Sequence, residues 1–375
     1  MGKKVNLAIV GVGNCASSLL QGIAYYQQEG HRDFAGLMRP DVGGYGVADI
    51  QIVAAFDVDR RKVGRPLEEA VFAAPNCTTV FHRDLPHYGV TVQMGPVLDG
   101  VADHMKDYPE HQVFQVSDAE PVDLVRQLSE SGAEVLVCYL PVGSEQAVRT
   151  YAEACLEAGM AMVNCVPVFI ASESEFAEQF RKRGLPIVGD DIKSQFGATI
   201  LHRVLVRTLC DRGVRVERTY QLNTGGNTDF LNMLEQSRLR LKRISKSESV
   251  QSQLDERLPE DCIHIGPSDF VRWQKDNKVC FLRLECRGFG DVPMNLEARL
   301  SVEDSPNSAG VVIDAVRCAK LALDREIAGP LEAVSAFTMK HPPRQMRDTE
   351  ALVALEEFIA GDGTPVRAQP RFALA

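Results

Sequence analysis

The feature that most constrains this chain is a strand that runs straight into a glycine turn and then into a helix. Val5-Asn6-Leu7-Ala8-Ile9-Val10 is followed by Gly11-Val12-Gly13-Asn14-Cys15-Ala16-Ser17-Ser18, and Leu19-Leu20-Gln21-Gly22-Ile23-Ala24 continues at a helical period. Gly11 permits the tight turn, Gly13 lets the backbone approach a pyrophosphate, and the small Ala16 lets helix pack on strand. The helix N-terminus offers N–H donors and the positive end of a dipole to phosphates. The order predicts a Rossmann-type dinucleotide site. A strand–turn–helix corner without a ligand is the plainer alternative for the turn taken alone.

Downstream, strand and helix patterns alternate. Residues 50–56 read as a second strand ending at Asp57, an acidic residue placed to take ribose hydroxyls and to disfavour a 2′-phosphate. Asp57 lies much further from the turn than the usual ~20 residues. The excess falls in residues 27–49, rich in glycine and read as an inserted loop. A helix N-cap is the alternative role for Asp57. Further strands are expected at 135–140, 160–165 and 185–189, with helices at 146–158 and 173–183 between them. Such alternation predicts a doubly wound parallel sheet with ligands beyond the carboxyl ends of its strands. Pro141, Ser144, Asn164, Asp190, Asp191 and Lys193 fall at those ends.

After a helix at about 198–212 the period changes to two. Residues 215–222, 278–287 and 292–302 alternate apolar and polar, which predicts a sheet with one face buried. Residues 199–303 are therefore read as an inserted α+β domain. The remainder, 1–198 with 304–375, is read as the nucleotide-binding body, rejoined by a helix at 311–325. The tail from 361 to 375 is expected to be loose.

Composition excludes several classes. The 375 residues are 45% hydrophobic and 25% charged, ordinary for a globular chain. No apolar run approaches the ~18 residues of a membrane span. The chain enters its first strand at once, without the pattern of a signal peptide. The ten cysteines form no C-x-x-C pair, and Cys138, Cys280 and Cys286 sit in apolar strands. That usage predicts a reduced, cytoplasmic protein. No His or Cys spacing suggests a structural zinc, and no G-x-S-x-G elbow suggests a serine hydrolase. The net charge of −10 argues against nucleic acid or an acidic membrane as partner. An anionic substrate would need a local lysine cluster.

Four segments carry candidate chemistry. Gly189-Asp190-Asp191-Ile192-Lys193-Ser194 holds two adjacent carboxylates and a lysine. Gly225-Gly226-Asn227-Thr228-Asp229 suits either a ligand-wrapping loop or a turn with a helix cap. Lys242 and Lys246 are four apart and share a helical face, either an anion site or a solvated basic face. Glu303-Asp304-Ser305 opens the returning helix, where Asp304 or Ser305 is also a possible cap. Lys340 precedes a Pro-Pro stop.

Together, the glycine turn, Asn164-Cys165-Val166-Pro167, Gly189 to Ser194, Ser245-Lys246-Ser247 and Glu303-Asp304-Ser305 resemble the myo-inositol-1-phosphate (inositol-3-phosphate) synthase family, in its shorter prokaryotic form. The similarity runs from about residue 4 to about 345. The resemblance implies a Rossmann body with an inserted catalytic and tetramerisation domain. It implies tightly held NAD, contacted by Gly11, Gly13, Asn14, Cys15, Ala16, Ser17, Asp57, Pro141, Ser144, Asn164, Asp190 and Lys193. It implies isomerisation of D-glucose 6-phosphate through C5 oxidation, enolisation, aldol closure and re-reduction. Lys242 and Lys246 match contacts to phosphate and the C5 oxygen, and Lys340 matches a contact to the reacting end. Asp191, Asp229 and Asp304 match carboxylates that orient these lysines or bind sugar hydroxyls.

The chain also departs from the family. Where longer members carry Gly-Asp-Ser-Lys, Gly266-Pro267-Ser268-Asp269 is read in its place, without the lysine. Lys278, Lys275 or a divalent or monovalent cation, held by Asp269 with Asp304, is expected to substitute. An NAD-dependent dehydrogenase of the homoserine or semialdehyde type, or a non-catalytic NAD-binding sensor, are the competing readings.

Overall fold

The computed structural model describes residues 3–28 and 34–361. The expected loose tail beyond 361 and part of the 27–49 insertion therefore lie outside the described residues.

β1 (Val5–Val10) leads through the glycine turn to α1 (Asn14–Tyr26). A hairpin of β2 (Asp41–Val42) and β3 (Tyr45–Gly46) precedes β4 (Ile50–Asp57), α2 (Leu67–Ala70) and β5 (Gln93–Met94). Then come α3 (Leu124–Ser131), β6 (Val135–Cys138), α4 (Glu145–Ala158), β7 (Ala161–Asn164), α5 (Ser174–Lys182), β8 (Pro186–Val188) and α6 (Ala198–Asp211). The second sheet is built from β9 (Arg215–Gly225), β10 (Ile263–Phe270), β11 (Asn277–Arg287) and β12 (Pro293–Glu303), with α7 (Thr228–Asn232) and α8 (Arg240–Gln251) after β9. α9 (Asp304–Asp324), β13 (Gly329–Pro330), α10 (Glu332–Thr338) and α11 (Asp348–Ala360) close the described chain.

The first sheet is parallel throughout, in the order β13-β8-β7-β6-β1-β4-β5. β6 is Val-Leu-Val-Cys with every residue buried, as a central strand covered on both faces requires. One apolar layer, including Leu19, Leu20, Val312 and Val316, fills the face under α1 and α9. Val148, Cys155 and Phe180 belong to the layer on the other face. The doubly wound fold expected from the alternating pattern is the one observed. The returning helix is α9, which packs on α1, β1, β7 and β8. It starts at Asp304, earlier than the apolar period indicated.

The second sheet runs β10-β9-β11-β12. Its alternating residues bury one face, where Val216, Leu282 and Leu284 meet Val206 of α6 and Val250 of α8. Tyr220, Phe281 and Met294 remain exposed. β10 was not legible as a strand because Gly266 and Pro267 interrupt it. It is an edge strand, where a missing N–H is tolerated, and its register slips between Pro267 and Asp269.

The 27–49 insertion is more than a loop. Its hairpin is tied to α9: Arg317 donates to the carbonyls of Arg39, Pro40 and Tyr45, and the Tyr45 hydroxyl bonds Asp324. Cys138, Cys280 and Cys286 are buried free thiols. Among the described residues no helix is long and apolar enough to cross a membrane.

Candidate active site

The glycine turn sits at the carboxyl end of β1. Gly11 has φ +88°, and a Cβ there would lie 2.7 Å from the Tyr139 carbonyl oxygen, so only glycine fits. A Cβ at Gly13 would meet nothing within 4 Å, because that residue faces open space. α1 begins with no side-chain cap and no acidic residue in its first turn. Its first N–H groups are left for an incoming anion. Asp57 braces the turn: Oδ2 accepts from Val12 N at 2.7 Å, and Oδ1 accepts from Val58 N and Asp59 N. A carboxylate has further acceptor capacity, and Asp57 also lines the adjoining groove. Beneath the turn the buried Lys62 donates to Val12 O and Asn76 Oδ1.

This groove, walled by Gly11, Asp57, Pro96, Leu98 and Pro141, continues into a second cavity. The two share Gly13, Phe114, Tyr139, Leu140 and Pro141. Tyr139 lines both, and its hydroxyl is buried without a hydrogen-bond partner. An open Gly13, uncapped helix N–H groups, a strand-end carboxylate and an orphaned tyrosine hydroxyl together fit a dinucleotide.

The second cavity gathers Asp191, Asp229, Lys242, Lys246, Lys278, Asp304 and Lys340 from six separate stretches of chain. Asp191 follows β8 with φ 63° and is fully buried. Its Oδ1 accepts from Lys242 Nζ at 3.1 Å and from Lys340 Nζ at 3.0 Å, while Oδ2 accepts from Ser245 Oγ at 2.6 Å. Burial alone would raise the Asp191 carboxyl, but the two ammonium groups and the hydroxyl pull it well below the usual range. Lys242 is held charged: burial opposes the charge, and Asp191, Asp229 and Asp304 outweigh it. Lys340 is lowered to about 8 by burial and by Lys242 and Lys278, against the pull of Asp191.

Lys246 differs from both. It lies one turn after Lys242 on α8 and is 4% exposed. Among the described residues no hydrogen bond or ion pair reaches its amine. Burial, then Lys278, Lys242 and Lys340, push it well below the ordinary lysine value. Lys278, at the start of β11, pairs with Asp304 at 3.2 Å. The cavity thus combines paired ammonium groups with one amine poised to accept a proton. The solvated basic face considered for Lys242 and Lys246 does not occur.

All seven residues expected to be catalytic line this cavity, as do Gly13, Asn14, Cys15 and Pro141. Gly11 and Asp57 line the adjoining groove. Burial raises the Cys15 thiol to about 12, so it presents an inert, small side chain. Six expected cofactor contacts fall on neither surface. Ala16 packs α1 into the core, and Ser17 is buried with its Oγ accepting from Gln21. Ser144 Oγ donates to the Pro141 carbonyl. Asn164 donates to Val168 O and to Asp190. Asp190 turns inward, where it accepts from Asn164, the amides of Ile170, Ala171 and Ser172, and the Ser172 hydroxyl. Lys193 is buried on the Ala336 carbonyl and beside Asp348. Apart from Ala16, whose backbone N–H is among the uncapped groups of α1, these residues engage their side chains inside the protein.

The Asp269–Asp304 cation pair is also not formed. Asp269 is exposed and outside the cavity. Among the described residues no three His, Cys, Asp or Glu gather as a metal site. Lys275 lines a separate surface groove, whereas Lys278 lines the cavity. Asn227 is both cap and wall: its Oδ1 accepts from Asp229 N and Phe230 N, aiming Asp229 at the cavity.

Sequence reasoning missed Ser245 as a partner of Asp191, although it stands one residue before Lys246. It also missed Lys62, Asn76 and Phe114, which come from an irregular stretch without a periodic signal.

A family model described as myo-inositol-1-phosphate synthase matches residues 197–305. The chain is 54% identical to an inositol-3-phosphate synthase of Mycolicibacterium smegmatis, over 96% of this chain and 98% of that one. It is 52% identical to an inositol-3-phosphate synthase of Corynebacterium glutamicum, over 95% and 98% respectively. A myo-inositol-1-phosphate synthase-related protein from Thermotoga maritima superposes with a TM-score of 0.80 at 25% identity, covering 95% of this chain and 98% of that one.

Proposed function

The chain belongs to the inositol-3-phosphate synthase family of isomerases, and we propose that it converts D-glucose 6-phosphate to 1D-myo-inositol 3-phosphate with NAD held beside the glycine turn. The observation that carries this reading is the convergence of Lys242, Lys246, Lys278 and Lys340 on a cavity that opens onto the groove of that turn. A dehydrogenation needs one acid–base group. Four amines suit a substrate that brings a phosphate and then develops negative charge on two sugar oxygens.

The residues suited to hold NAD are the first-turn N–H groups of α1 for the pyrophosphate and Asp57 for the adenosine ribose, with Gly13 and Pro141 against the cofactor. When bound, NAD supplies reversible removal of hydride at C5, so the overall reaction has no net redox change. Lys246, the unpaired amine, takes the proton of the C5 hydroxyl and later returns it. Lys242, held charged, binds the phosphate. Lys278 stabilises negative charge on the C5 oxygen as the C6 proton passes to the substrate's own phosphate, which makes C6 a nucleophile; that proton later replaces the one Lys340 gives to the C1 oxygen. Lys340 donates to the C1 oxygen as C6 attacks C1 and closes the ring. Asp191 orients Lys242 and Lys340, Asp304 orients Lys278, and Asp229 accepts from a sugar hydroxyl.

In the same reading, residues 199–303 form the inserted catalytic and tetramerisation unit, and the rest forms the nucleotide-binding body. The exposed sheet face bearing Tyr220 and Phe281 is the surface a homotetramer would cover. The free cysteines suit the cytoplasm. The product serves inositol and inositol-phospholipid synthesis. Incubation of the pure protein with D-glucose 6-phosphate and NAD, followed by chromatography, tests the assignment. Inositol phosphate should form with the wild type and fail to form with Lys246→Ala. Its absence from the wild-type reaction would refute the assignment.

A further inference from the structure

Asp276 lies behind the cavity wall, 1% exposed, on the segment that leads into β11. Its Oδ1 accepts from Asn227 Nδ2 at 2.8 Å and from Ser305 Oγ at 3.0 Å. Its Oδ2 accepts from Ser305 N at 3.1 Å, and its carbonyl accepts from Asp304 N at 3.0 Å. The carboxylate thereby caps α9, which has no cap from its own N-terminal neighbour. Through Asn227 it also fixes the cap of α7, because that side chain's Oδ1 is committed to Asp229 N and Phe230 N. Lys278 follows two residues later.

Three residues on the cavity wall, Asp229, Lys278 and Asp304, thus come from three elements joined at one carboxylate. We propose that Asp276 is a positioning residue that sets the spacing of Asp229, Lys278 and Asp304 without touching substrate. The proposal rests on the synthase reading for its kinetic consequence. The geometric claim stands apart from it.

The hydrogen-bond pattern supplies a selective test. In Asp276→Asn the new amide must turn its NH2 toward either Asn227 Nδ2 or Ser305 N, and both are donors. Adding Asn227→Asp removes the conflict. The introduced amide NH2 then donates to the new carboxylate, the amide oxygen accepts from Ser305 N, and the Ser305 hydroxyl rotates to accept. Aspartate remains a good cap for α7.

Asp276→Asn is expected to lower kcat about 10²-fold, the scale of an ångström-level misplacement at a reacting centre. KM for D-glucose 6-phosphate should change much less. The double variant should recover at least about tenfold of that loss. A single variant with wild-type kcat, or a folded double variant no faster than the single, would overturn the proposal. If the single variant does not fold, the double alone decides: folded and active supports the proposal, folded and inactive refutes it. Crystal structures of wild type and variant decide the geometric claim even if no inositol phosphate is made. Displaced Asp229 or Asp304 in Asp276→Asn supports it, and unchanged positions refute it.

Discussion

Lys340 and Asp191 are joined twice. The Lys340 ammonium donates to Asp191 Oδ1 at 3.0 Å, and its backbone N–H donates to the Asp191 carbonyl at 2.7 Å. The segment after α10 is thereby pinned along the segment after β8, and His341 N repeats the pattern on Asp190 O. A lysine near the C-terminus becomes part of the parallel sheet's ligand-binding edge.

This pairing sets a pH dependence. Lys340 is lowered to about 8, and Asp191 is the group that holds it up. As a cationic donor Lys340 is active below its pKa and lost as pH rises through it. In Asp191→Asn the supporting charge is gone, so the alkaline limb of kcat/KM should move to lower pH. The rate at the optimum should fall about 10²-fold or more, as when an oxyanion donor is misplaced. A pH–rate profile of the variant checks both statements.

Under the proposed mechanism, Lys246 trades stability for function. A buried amine without a hydrogen-bond partner is costly, and the three lysines around it outweigh the pull of Asp191. Lys246→Met should therefore raise the thermal midpoint, with a gain of roughly 1 kcal/mol. The same change should lower kcat by about 10²- to 10⁴-fold, the range of a lost general base. Calorimetry and steady-state rates on one preparation test the pair of effects.

At Gly11 the backbone and the space both exclude a side chain. Gly11→Ala should cost about 1–3 kcal/mol from positive φ and the approach to Tyr139 O. NAD binding, measured by titration calorimetry, should weaken further, because the turn carries the first N–H groups of α1 with it.

Local patterns made much of this architecture legible. Predominantly apolar runs marked β1, β6 and β7, and the switch to period two marked β9, β11 and β12. The four-residue spacing of Lys242 and Lys246 put both amines on one face of α8. The division of labour between Asp190 and Asp191 was not legible. Adjacent carboxylates look alike in sequence, and only the backbone decides which one is caged by Asn164 and Ser172 and which one meets lysines. The same applies to Lys193 and Lys278, since burial on Ala336 or exposure to the cavity depends on distant packing. Asp269 drew attention as the residue standing where longer family members carry a lysine, and only the placement of β10 at the sheet edge leaves it exposed and outside the cavity.

The central claim is that the lysine cavity and the glycine turn serve one redox-neutral isomerisation. The most direct test follows reduced nicotinamide absorbance and inositol phosphate together while wild-type protein turns over D-glucose 6-phosphate. Many product molecules should form per bound NAD with no net accumulation of NADH. NADH rising one-for-one with substrate consumed would contradict the claim and identify a dehydrogenase instead.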